Sequence, residues 1–237
     1  GMRVFEGTAQ IKTSSETATI EITNLSGGDH FVRISTLMDS INDPSYEVEA
    51  RKIHSAYMAK SEEELLRDHV FGYSKDGQAS SFTCSDKELE DLFDTAQYVC
   101  GAAIHPNGSA VTSLEMPNNH GMGTYWDIWF THAGLLRANR VDEAMKIIRF
   151  WDSVYPKAKK IAQEAGVGGA RFEWLLRYDG TPYLPGITEQ IHNNVIPVVN
   201  IYEQYFYTGD KTILSERFEL MQVCVRFVVE FALRKNP

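Results

Sequence analysis

SDKELEDLFDTAQYV, residues 85–99, marks the point where the sequence stops alternating and begins to turn. Leu89, Leu92, Phe93, Ala96 and Val99 recur at i, i+3, i+4, i+7 and i+10, the period of one helical face. Ser85 followed three residues later by Glu88 has the form of a capping box. A helix from Ser85 with that stripe turned inward is therefore expected. Downstream, similar periodicity predicts helices around Trp126, from Val141 to Ala165, from Thr188 to Tyr207 and from Thr212 to Leu233, with a turn at Gly209-Asp210. Pro156 is expected to kink or split the second of these. The loops between them alternate long and short, the pattern of stacked helical hairpins.

Upstream, residues 2–13, 16–23, 30–38 and 45–58 are rich in Val, Ile, Thr and aromatics with period-two stretches, and turn residues at 24–29 and 42–45 separate several of them. Residues 1–60 thus read as an antiparallel β region, too small to stand as a sandwich alone. Ser61 with Glu64 offers a second capping box and a short helix, and the Gly/Ser-rich residues 72–81 read as a linker, so 61–84 joins the β region to a helical domain spanning 85–237.

A formal net charge of −9 argues against a nucleic-acid or anionic-membrane partner, which would call for Lys/Arg clusters. The densest basic group, Lys157-Ala158-Lys159-Lys160, reads as a solvated helix face. No apolar run reaches the roughly 20 residues of a membrane span, and no signal segment is read, so a cytoplasmic location is expected. Three scattered cysteines read as free thiols. His105, His120 and His132 lack metal-ligand spacing, and no phosphate-binding, dinucleotide or nucleophile-elbow motif occurs, so neither a metal nor a cofactor is expected.

Polar and aromatic residues concentrate in the long loops, and such loops are where sites are found. The candidate substrate-binding residues are His120, Trp126, Asp127, Glu173, Trp174, Arg177, Glu189 and His192. Each has a structural alternative. In TYWDIWFTHAGLL, residues 124–136, Trp126, Phe130 and Leu135 could form one core face, with Asp127 favoured by the helix dipole. The other reading is a sugar subsite, where an aromatic plane covers the C–H face of a pyranose and a carboxylate accepts from its hydroxyls. Trp174 could be a core residue beside a surface acid, Thr188 could cap a helix containing Glu189, and Asn193-Asn194 could satisfy loose backbone groups.

Three blocks in order carry a resemblance: YWDIWF at 125–130, YPKAKKIAQEAGVGGARFEW at 155–174 and TEQIHNNVIPVVNIYEQYFYTGD at 188–210. Over about residues 85–237 the chain resembles glycoside hydrolase family sixty-five, the maltose, kojibiose and trehalose phosphorylases. The resemblance implies a mainly α protein: an antiparallel β-sandwich-like segment followed by a partial (α/α) six-hairpin barrel with an oligosaccharide bound at its mouth. It places Trp126 and Asp127 in the subsite for the non-reducing sugar and aligns Trp174, Ile191 and His192 with the later blocks. It implies inverting hydrolysis or phosphorolysis, with inorganic phosphate as co-substrate in the latter case. The chain departs from the family at Trp129 and Leu175, where acids are usual. The family's general acid falls beyond the third block, so no catalytic residue is assigned and the barrel is expected to be incomplete. The alternative is a non-catalytic sugar-binding or assembly module. Either way, a partner chain or second copy is expected on the open helical face.

Overall fold

Strands form where β-rich runs can pair, and among the described residues of the computed structural model they do so once. The structure describes residues 8–14, 18–23, 27, 46–77, 80–111, 126–183 and 190–235. The chain divides into two compact units, Gly1–His69 and Val70–Pro237, with the division inside a helix. In the first unit β1 (Thr8–Thr13) pairs antiparallel with β2 (Ala18–Thr23), in register from Thr8 opposite Thr23 to Thr13 opposite Ala18. The expected strand at 30–38 and the turn at 42–45 lie outside the described residues.

The expected strand at 45–58 is instead a helix, α1 (Tyr46–Met58). Glu47 and Glu49 sit in its first turn, where the helix dipole favours acids. Ala50, Ile53, His54 and Met58 are its half-buried residues, a helical spacing that the β-branched and aromatic content had obscured. The next helix, α2 (Glu62–Gly77), opens with the capping box: the Ser61 N–H donates to Glu64 Oε2 at 2.7 Å and the Glu64 N–H to Ser61 Oγ at 3.2 Å. It runs on to Gly77, through most of the stretch expected to be a linker.

In the second unit α3 (Lys87–Ala102) leads, after a turn closed by an Ile104–Ala110 bridge, towards α4 (Ile128–Arg137). A short turn carries the chain into α5 (Val141–Glu164). An irregular segment, residues 166–183, follows, and a 3-10 turn (Ile191–Val195) runs directly into α6 (Ile196–Thr208). Two further helices close the described chain, α7 (Lys211–Glu216) and α8 (Phe218–Lys235). The described chain is mainly helical. None of its described helices is long and apolar enough to cross a membrane.

Helix α5 is the spine of this unit. Trp151, Val154, Ala158 and Ala162 are buried along one face on both sides of Pro156, and that packing outweighs the one hydrogen bond the proline forfeits, so the helix stays whole. The expected single C-terminal helix divides at Arg217, whose guanidinium turns to Asp152 Oδ2 on α5 at 3.0 Å. Gly209 closes α6 in a left-handed conformation, and Asp210 caps α7 by accepting the Thr212 N–H at 2.9 Å.

Helix α3 is oriented by polar contacts rather than by its apolar stripe. Its N-cap is Asp86, which accepts the Glu88 N–H at 3.0 Å, and not Ser85. Leu89, Leu92 and Val99 are exposed, while Gln97 is buried and donates to Ser80 Oγ at 3.2 Å. Arg140, buried in the turn after α4, grips the Gln97 carbonyl and the Glu143 carboxylate together. These ties fix the rotation of α3 against α4 and α5 and leave its leucines facing outward.

Candidate functional site

The Trp126–His192 contact and the bonds of Asn193 and Asn194 to residues 170–173 bring the start of α4, the segment 166–183 and the 3-10 turn together, while Gln204 near the end of α6 donates to the Val141 carbonyl at the start of α5. The Trp126 and His192 rings meet edge to face there, with centroids 5.7 Å apart at 74°. Two sequence blocks well separated along the chain are thereby in contact.

Helix α4 distinguishes the two readings of its sequence. Its buried face is Ile128, Thr131, His132, Leu135 and Leu136. Phe130 is 61% exposed, so Trp126, Phe130 and Leu135 do not form one core face. Asp127 occupies the N-cap position with helical backbone angles and makes no cap hydrogen bond. Its Oδ1 atom is enclosed and has no hydrogen-bond partner among the described residues. A buried acceptor in that condition costs free energy until something donates to it.

The segment 166–183 has little regular structure yet is pinned from several sides. The Ala170 N–H donates to the Val223 carbonyl on α8 at 3.2 Å and the Arg171 N–H to Ala158 on α5 at 2.8 Å. Gly169 allows the close pass over α8: its φ is +90°, and a Cβ there would stand 2.3 Å from the Val223 oxygen. Phe172 is wholly buried against Trp151, edge to face at 5.5 Å, and the Trp151 indole donates to Asn200 Oδ1 at 3.0 Å.

Asn193 and Asn194 fasten this segment to the 3-10 turn, much as their structural reading anticipates. Asn193 Nδ2 donates to the Glu173 carbonyl at 2.6 Å, Asn194 Nδ2 donates to the Ala170 carbonyl, and the Phe172 N–H donates to Asn194 Oδ1 at 3.0 Å. Asn193 Oδ1 is buried without a partner among the described residues, a second idle acceptor close to His192 in sequence.

The remaining candidates fall in different settings. The Glu173 carboxylate is buried and points to Arg171 at 3.4 Å. Arg171 also lies over the Phe227 ring at 5.3 Å, and burial pulls its pKa down while Glu173 opposes that. Trp174 is half-buried beside it. Arg177 is exposed and stacks on Tyr183 at 5.0 Å. His192 is exposed. His120 and Glu189 lie outside the described residues, as does the Thr188 cap. Among the described residues, no cluster of three or more His, Cys, Asp or Glu could hold a metal.

Sequence reasoning names Trp129 and His132 but does not join them to Glu203, which it misses. The Trp129 indole donates to Glu203 Oε1 on α6 at 3.1 Å, and His132 Nδ1, on a ring with no exposed surface, stands 3.5 Å from Glu203 Oε2. That is an ion-pair distance, although the geometry falls short of a hydrogen bond. His132 holds the Glu203 pKa below its usual value, partial burial opposes, and Trp129 adds to the lowering. Only the helical period of α4, which places His132 inward, hinted at this group. No family model and no curated protein matches this chain.

Proposed function

We propose that the loop end of the second unit is a carbohydrate subsite, formed by Trp126, Asp127, Trp174 and His192, and that the chain is a carbohydrate-active protein related to inverting glycoside hydrolases and phosphorylases of oligosaccharides. The observation that carries this reading is the pairing of the Trp126–His192 ring contact with the unpartnered acceptor of Asp127. An aromatic wall beside the half-buried carboxylate of Asp127 suits a ligand that presents C–H on one face and O–H at its edges. Glu173 and Arg177 enter as support: the first holds Arg171, and the second braces Tyr183.

The succession of antiparallel helices with long loops gathered at one end supports a six-hairpin barrel as the parent architecture, with the β1–β2 hairpin belonging to a larger β-sandwich. A cytoplasmic setting belongs to the same proposal and suits three cysteines that are free thiols. No residue described here is cast as the general acid. The second reading, a sugar-binding module without catalysis, keeps the same subsite.

Titration calorimetry with a panel of mono- and disaccharides tests the subsite. Binding by the native chain that Asp127→Ala weakens at least tenfold is expected, since a hydrogen bond to a charged group contributes about 1.5–3 kcal/mol. Absence of binding across the panel would remove the reading. Incubating bound disaccharides with and without inorganic phosphate then separates the classes: sugar phosphate or free monosaccharide as product marks an enzyme, and no product marks a module.

A further inference from the structure

Between α3 and α4 the packing is incomplete. Ser80 and Arg140 hold Gln97 and so fix the rotation of α3, and the residues that then face the gap between the two helices are small: Ala96 and Cys100 on α3, Gly134 and Ala138 on α4. They leave a cavity of about 210 Å³, with Phe93 and Leu135 as the rest of its apolar wall. Phe82 braces Phe93, the ring centroids 5.6 Å apart. Burial pushes the Cys100 thiol up, so it stays neutral and belongs to that wall. Two polar residues at the cavity are already engaged. Gln97 donates to Ser80 and its Oε1 is sealed from solvent, while Arg140 holds the Gln97 carbonyl and the Glu143 carboxylate. Arg137 differs: it lines the cavity yet is exposed, and among the described residues it makes no hydrogen bond or ion pair, although its charge reaches Glu203.

We propose that this cavity binds a small monocarboxylate, its ring or branched aliphatic body between α3 and α4 and its carboxylate on Arg137 at the opening. Size sets the body. An apolar cavity of about 150 Å³ takes benzene, so 210 Å³ holds one ring, or a branched chain of that bulk, with a short arm, and excludes a long acyl chain. Chemistry sets the rest. A sugar would bury hydroxyls against a wall with no polar group left to receive them, and an ammonium would meet a like charge at Arg137. A carboxylate on a short arm leaves the apolar body dry and gives the guanidinium the partner that its planar fork fits. The cavity shares no residue with the Trp126 subsite and does not depend on the carbohydrate reading.

The test is an NMR titration of the full chain with phenylacetate, phenylacetamide and acetate. Phenylacetate should bind at least about tenfold more tightly than acetate, which lacks the body. It should also bind roughly 2- to 5-fold more tightly than phenylacetamide, which lacks the charge. Arg137→Gln should remove the second difference and leave phenylacetamide unchanged. Ala96→Phe, which fills the cavity from an exposed helix position, should abolish binding of both ring-bearing ligands; should it unfold by circular dichroism, Ala96→Leu fills part of the same space and should weaken both. Bound phenylacetate should slow alkylation of Cys100 by iodoacetamide, read by peptide mass spectrometry, and leave Cys84, which does not line the cavity, unaffected. No binding by either ring-bearing ligand would overturn the proposal, and so would binding that survives Ala96→Phe and leaves Cys100 unprotected. Equal affinities for phenylacetate and phenylacetamide, or equal weakening of both by Arg137→Gln, would overturn the assignment of a carboxylate.

Discussion

Replacing Asn194 by alanine tests the claim that the site is held by side-chain hydrogen bonds to an irregular backbone. Asn194 has no exposed surface and serves two backbone groups, the Phe172 N–H at 3.0 Å and the Ala170 carbonyl, on residues that are themselves fully buried. Truncation leaves one donor and one acceptor unpaired away from water. At about 1–3 kcal/mol for each buried group left unsatisfied, the cost is about 2–6 kcal/mol, a large part of the roughly 5–15 kcal/mol that holds a typical domain folded. All four tryptophans, at 126, 129, 151 and 174, lie in the Val70–Pro237 unit, so intrinsic fluorescence during urea unfolding reads that unit alone. This matters because two compact units need not unfold as one transition. Amide exchange supplies the local readout: the Phe172 amide should lose protection beyond the global change. A midpoint shift equivalent to less than about 1 kcal/mol, with Phe172 protection unchanged relative to its neighbours, would refute the reasoning.

Two further outcomes follow from the geometry. Glu203 has a depressed pKa, so its contribution is complete above its ordinary value of 4.5 and is lost as pH falls through the lower folded value; the Trp129 indole N–H resonance should hold steady from pH 7 to 5 and move only below about 4.5, and movement between 5 and 7 would point to another titrating group. Gly169→Ala should destabilise by more than Gly209→Ala in the same urea assay: both have positive φ, costing about 1 kcal/mol each, but only at 169 does the new methyl meet backbone, 2.3 Å from Val223 O.

Helical periodicity located α4 and α5 because each buries a face against neighbours, and the Ser61–Glu64 capping box was legible because its two hydrogen bonds are local. What sequence reading missed has non-local causes. The leucine stripe of α3 faces out because Arg140, more than forty residues on, seizes the Gln97 carbonyl and sets the helix rotation. The break at Arg217 depends on Asp152, on a helix two hairpin turns earlier. Within the candidate site, Trp126 with Asp127 could be singled out from aromatic density around an acid, and the Asn pair from its position at a helix start. The Trp129–Glu203–His132 group could not, because nothing near Glu203 in sequence distinguishes it from a surface acid. At 45–58 Val, Ile and Tyr favour a strand, but the helix-favouring residues Glu47, Glu49, Ala50, Arg51, Lys52, Ala56 and Met58 lie among them and prevail.

The segment 166–183 is bonded directly to the core helices α5 and α8, and that placement removes the usual separation between a scaffold and its loops. Val223 and Ala158 accept its backbone hydrogen bonds, and Phe227 underlies Arg171. A volume change at any of these three positions is transmitted directly to Glu173 and Trp174, with no flexible loop to absorb it. The core and the proposed subsite therefore depend here on the same residues, and substitutions in the core would reshape that subsite without lying in it.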